Sequence, residues 1–143
     1  MTFKVLLPVD GSESALRAVD HLIAHVAWFR EVPEIHVLHV HPPIPVGRVQ
    51  AHVGKETLLA YYLEDSESQL KVSKEKLEAA GYAYTPHVHV GQPAEVIARV
   101  AADLGCDLVI MGSHGRSGLA GLLMGSVANR AQHLAHCPVL LVK

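Results

Sequence analysis

The stretch Asp107 to Val127 reads D-L-V-I-M-G-S-H-G-R-S-G-L-A-G-L-L-M-G-S-V, and the rest of the chain is organised around it. Leu108, Val109, Ile110 and Met111 form a short apolar run bounded by Gly112, which predicts a buried parallel strand ending in an abrupt turn. Glycines recur at Gly112, Gly115, Gly118, Gly121 and Gly125, and Gly125-Ser126 opens a helical run through Val127, Ala128, Arg130, Ala131 and Leu134. Strand, glycine loop and helix N-terminus make an anion-binding arrangement. The first N–H groups of a helix lack intrahelical acceptors, and the helix dipole adds positive potential there. Glycines let the backbone approach a ligand closely or take positive φ. Ser126 suits two roles, capping the helix or donating its hydroxyl to a phosphate oxygen. A plain glycine-rich turn closing a βα unit fits the same residues.

The better-known phosphate loops do not match. A Walker loop needs a lysine after its second glycine; Lys55 alone follows a glycine, and it lacks the rest of the motif. The dinucleotide fingerprint opens Gly-x-Gly, whereas this loop opens Gly112-x2-Gly115. Neither Ser113 nor Ser117 sits in the Gly-x-Ser-x-Gly of a nucleophile elbow. What remains is Gly112-x2-Gly115-x9-Gly125-Ser126.

At 143 residues the chain fits one domain spanning 1–143. It is 50% hydrophobic with only 18% charged residues, as a sheet covered on both faces requires. With a formal charge of -2, scattered Lys and Arg and no basic stripe, nothing supports a duplex nucleic-acid partner. No apolar run reaches the roughly 20 residues of a membrane span, and Met1 to Val9 reads as a strand rather than a signal peptide. Cys106 and Cys137 are too few to staple the domain, so both read as reduced core thiols, which places the protein in the cytoplasm.

Phe3 to Val9 predicts the first strand, and it runs into Asp10-Gly11-Ser12. Ser12 or Gly11 then caps a helix whose apolar positions are Leu16, Val19, Ile23, Val26 and Ala27. Asp10 is thereby placed at the carboxyl end of a strand. Glu34 to His41 predicts the second strand; Pro42, Pro43 and Pro45 stop it and open an irregular stretch to about Gly54, a candidate lid. A long helix follows from Lys55 to Ala80, with Leu59, Leu63, Leu70 and Leu77 near one stripe. Tyr82 to Val90 predicts the third strand, and Pro93 starts a helix buried through Val96, Ile97, Val100, Ala101 and Leu104 and closed by Gly105. The glycine-loop unit comes next, its helix running to His136, and Pro138 to Val142 is a last strand.

Strands alternating with helices define an α/β fold, an open, doubly wound, Rossmann-like five-stranded parallel sheet with helices on both faces and expected order 3-2-1-4-5. The reversal of winding then falls between strands one and four. Asp10 and the loop from Gly112 face each other across one crevice, where open α/β sheets bind ligands.

From K-V-L-L-P-V-D-G-S at Lys4–Ser12 to H-C-P-V-L-L-V-K at His136–Lys143, and most specifically in the spacing from Gly112 to Ser126, the chain resembles the ATP-binding branch of the universal stress protein family. The resemblance implies an adenine nucleotide alpha hydrolase-like fold that binds ATP with Mg2+ or Mn2+. Pro8, Val9 and Asp10 are then expected at the adenosine end, Asp10 holding the ribose or contributing to a metal site. Val40 is expected to touch adenine, Met111 and Gly112 to line the ribose and phosphate path, and Gly115, Gly125, Ser126 and Val127 to wrap the phosphates. It also implies a homodimer through Val139 to Val142, an apolar edge that would otherwise invite uncontrolled pairing. His114, within the Gly-x2-Gly step, either approaches the phosphates or points to solvent, and solvent is the expectation.

Two arginines bear on phosphate charge. Arg116 sits in the loop and is the candidate to neutralise it, whereas Arg130 reads as a solvated helix residue. The 11 histidines include His39 with His41 and His87 with His89, pairs two apart on strands that share a face and offer imidazoles to zinc, copper or nickel. Strand-end and surface histidines with local hydrogen bonds are the alternative. The missing Walker lysine counts against efficient phosphoryl transfer. The expected function is a nucleotide-dependent stress-response module that signals to a regulatory protein partner. A slow ATPase or phosphotransferase, and a structural dimer without nucleotide, are the alternatives.

Overall fold

The computed structural model describes residues 2–44, 54–114 and 124–143. Along the chain run β1 (Lys4–Pro8), α1 (Glu13–Ala24), a short 3₁₀ turn (Val26–Trp28), β2 (Glu34–His41) and α2 (Lys55–Ala79). Then follow β3 (Tyr84–Val90), α3 (Pro93–Leu104), β4 (Leu108–Gly112), α4 (Ser126–Leu134) and β5 (Val139–Val142). The sheet has five parallel strands in the order β3-β2-β1-β4-β5. This is the doubly wound order expected from the alternation of elements.

Period-two alternation divides the core between the two faces of the sheet. Val5, Leu7, Ile35, Val37 and Ile110 point toward α1 and α2. Leu6, Leu38, Val40, Val109 and Met111 point toward α3 and α4. All ten are buried, which explains why these strands read as continuous apolar runs.

The helix ends obey local chemistry. The Ser12 hydroxyl accepts from Ala15 N at 3.2 Å and caps α1. Pro93 opens α3, where its missing N–H costs nothing, and Gly105 closes it at φ 67°. At α4 the cap is Gly125, with Ser126 the first helical residue, so of the two roles open to Ser126 capping is not realised.

Two buried faces differ from expectation. On α1 the buried residues are Ser14, Ala15, Ala18, Val19 and Leu22, a stripe rotated from the expected Leu16, Val19, Ile23 and Val26. Small side chains bring α1 close to β4: a Cβ on Gly112 would lie 2.6 Å from the Ser14 carbonyl carbon. On α2 only the second half is buried, through Ser66, Leu70, Ser73 and Leu77, while Leu59 and Leu63 are 59% and 51% exposed. A helix of 25 residues spans about 37 Å, longer than any strand of this sheet, so its first turns overshoot the core.

Candidate functional site

β1 and β4 pair only at Val5↔Leu108 and Leu6↔Val109. Beyond that register the two central strands part, because helices cross to opposite faces on either side of this point. The resulting crevice is a cavity of about 260 Å³, near the lower end of small-molecule sites. Pro8, Val9 and Asp10 line it from the end of β1, and Leu38, His39 and Val40 from the end of β2. Met111, Gly112 and His114 enter from β4, and Gly125, Ser126 and Val127 from the start of α4. Pro93 and Ile97 of α3 complete an apolar wall beside Val40.

Nine residues singled out in the sequence thus surround one cavity: Pro8, Val9, Asp10, Val40, Met111, Gly112, Gly125, Ser126 and Val127. Gly115 and Arg116 lie outside the described residues, as does the 45–53 part of the candidate lid.

The walls are held by hydrogen bonds that leave little freedom. Asp10 Oδ1 accepts from Ser12 N at 3.0 Å, closing the turn after β1. Gly11 takes φ 79° there, and its Cα faces Gln69 of α2 so closely that any Cβ would collide with that side chain. Val9 N donates to Leu38 O at 2.8 Å, and Val9 O accepts from His39 Nδ1 at 2.9 Å. The carbonyl can only accept, so the Nδ1 of His39 carries a proton. Across the crevice, Gly125 N donates to Ser113 O at 2.7 Å, and Ser113 N donates to Val142 O at 3.0 Å. These bonds tie the start of α4 and the end of β5 to the end of β4. Gly112 and Gly125 both have negative φ; at Gly112 the glycine is required by the approach of α1 rather than by a left-handed backbone.

Two histidines of the cavity were not expected at the nucleotide site. His39, read from the sequence as a possible metal ligand with His41, is buried and supports the backbone after β1. His114 lines the cavity instead of pointing to solvent. Arg130 lies outside the cavity and pairs with Glu95 at 2.5 Å, which lowers the Glu95 carboxyl below its ordinary range.

The strand histidines combine differently from the pairs expected two apart. His36 Nε2 meets Glu34 Oε1 at 2.8 Å, and His36 Nδ1 meets His87 Nε2 at 2.9 Å. A neutral His36 therefore donates to the carboxylate and accepts from the His87 ring. Burial, then the neighbouring His36 and His89, lowers the His87 pKa. His41 turns to the other face and pairs with Asp65 at 2.9 Å. No group of three or more His, Cys, Asp or Glu suited to a metal ion occurs among the described residues. Burial pushes the Cys106 thiol up to about 11 and raises Cys137, so neither is a reactive thiolate at neutral pH.

The Universal stress protein family model matches residues 1–143. The chain belongs to this family. It is 36% identical over 140 residues to Universal stress protein MJ0531 of Methanocaldococcus jannaschii, covering 98% of this chain and 81% of the relative. The structure of MJ0577 from the same organism superposes with a TM-score of 0.83 at 33% identity, covering 100% of this chain and 96% of the other. An Arabidopsis thaliana family protein with AMP bound shares the fold at a TM-score of 0.68 and 21% identity, over 99% of this chain and 91% of that one. Among the described residues no helix is long and apolar enough to cross a membrane.

Proposed function

We propose that this chain is a nucleotide-binding regulatory module that holds ATP with Mg2+ or Mn2+ in the crevice between β1 and β4. The observation that carries this is the convergence of the α4 N-terminus, the Gly112 backbone and the Asp10 carboxylate on one cavity with an apolar wall. Pro93, Ile97 and Val40 offer adenine a flat, apolar slot. Asp10 is placed to accept from ribose hydroxyls or to meet a divalent ion. The first N–H groups of α4 and the Ser126 hydroxyl are placed to meet the phosphates.

The donor set suits a metal carried in by the nucleotide. Mg2+ is held by one or two carboxylates together with substrate phosphates, and one carboxylate on the crevice meets the protein's share. The ion would neutralise phosphate charge, a task no Lys or Arg among the described lining residues performs. The AMP in the Arabidopsis protein belongs to that protein; at 21% identity the two chains have the fold in common. The proposed working form is a cytoplasmic homodimer joined along β5, whose half-buried Val139 to Val142 lie on the sheet edge, with the bound nucleotide altering the surface offered to a protein partner.

Freshly purified protein is denatured and any released nucleotide identified by chromatography, alongside calorimetric titration with ATP and magnesium. Recovered adenylate or saturable binding supports the proposal. Neither carry-over nor binding overturns it and leaves the glycine stretch as a turn.

A further inference from the structure

His114 is held on two sides and open on a third. Its backbone N donates to Ser14 Oγ at 3.1 Å, and its Nδ1 meets the Ser113 hydroxyl at 2.9 Å. Ser113 is itself buried and anchored through its N–H to Val142 and its carbonyl to Gly125. With the Ser113 hydroxyl donating to Nδ1, the neutral ring carries its proton on Nε2. That atom is buried and has no hydrogen-bond partner among the described residues. A buried donor without an acceptor costs about 1–3 kcal/mol, and a residue that lines a cavity recovers that cost when the cavity's occupant supplies the acceptor.

We infer that His114 is a specificity-determining residue of this site, whose Nε2–H donates to an anionic phosphate oxygen of the bound nucleotide. This rests on the nucleotide reading of the cavity given above. The ring stands on the same cavity as the α4 N-terminus, which already favours negative charge. The other titratable side chains lining it are Asp10, from the turn after β1, and His39, from β2, whose Nδ1 is committed to the Val9 carbonyl. No Lys or Arg lines it among the described residues, so His114 is the side chain at α4's end of the cavity that offers a ring N–H to an anion. Adenosine, which has no phosphate, gains nothing.

The test is calorimetric titration with ATP and magnesium, and separately with adenosine, of the wild-type chain, His114→Ala and His114→Gln. Gln places an amide donor near the position of Nε2. The expected result is a loss of ATP affinity of about tenfold in His114→Ala with adenosine affinity unchanged. Substantial rescue is expected in His114→Gln. Thermal unfolding of each variant separates a folding defect from a binding defect. Equal ATP affinity in all three overturns the role of His114 and leaves nucleotide binding standing. No binding of ATP or adenosine by the wild-type chain overturns both.

Discussion

Two histidine regions of this protein differ in what happens to their ring nitrogens. At the β2–β3 edge, His36 spends one nitrogen on Glu34 and the other on His87. Both ring nitrogens of His36 thus find partners within the protein. At the β1–β4 crevice, His114 spends one nitrogen on Ser113 and faces a cavity, and its other nitrogen has no partner among the described residues. Residue type is the same in both places. Polar groups that satisfy each other make structure, whereas a polar group held in place and left without a partner beside a cavity makes a site.

The sharpest way to break this contrast is Gly125→Asp. Asp is a good N-cap residue, so α4 and the fold are expected to persist, yet its charge stands where the phosphates are proposed to lie. Like charges in contact cost several kcal/mol, so ATP affinity should fall at least about 100-fold in calorimetry. Retained affinity would remove the crevice from consideration as the phosphate site.

Gly112→Ala tests how tightly the crevice wall is built. Its new Cβ meets backbone atoms of Ser14, which cannot yield as a flexible side chain would. A stability loss of about 3 kcal/mol is expected in urea unfolding, the upper end for overpacking. A loss under about 0.5 kcal/mol would mean that α1 and β4 separate easily.

His36→Ala makes the opposite cut. It removes a buried ring, leaves Glu34 and His87 without that partner, and should cost about 2 kcal/mol of stability. ATP affinity is expected to stay at the wild-type value, because neither His36 nor His87 lines the cavity. A matching loss of affinity would couple the two regions and dissolve the distinction between them.

The smallest expected effect is on pH dependence. The folded-state pKa of His87 is lowered, first by burial and then by His36 and His89, so the folded chain takes up this proton less readily than the unfolded chain. Its contribution is fully present above the ordinary histidine value of about 6.5 and is lost as pH falls below it. His21, lowered by burial and by His25, acts with the same sign. The urea midpoint should therefore drop between about pH 7 and about pH 5, and His87→Gln should flatten that slope. An unchanged slope would show that His87 takes up its proton as readily as in the unfolded chain.

The glycine stretch, the strand runs and their alternation with helices were legible because each is a local signal. Continuous apolar runs mean strands buried on both faces, and handedness of the crossovers then leaves few topologies. Asp10 and Gly112 could be placed at one crevice on that basis alone. The buried face of α1 was not legible, because hydrophobic size favours Leu16 and Ile23, whereas close approach to Gly112 favours Ser14, Ala15 and Ala18. The exposure of Leu59 and Leu63 was hidden for a related reason: periodicity along α2 carries no record of where the sheet beneath it stops.

By itself, then, the sequence determined the order of elements, the strand order and the backbone that surrounds the crevice, since these follow from short-range pattern and chain handedness. The tertiary structure alone decided the fate of the histidines. The ring of His36 finds its partner in His87, 51 residues away, and the backbone N–H of His114 is fixed by Ser14, 100 residues away, at distances that no spacing in the sequence encodes.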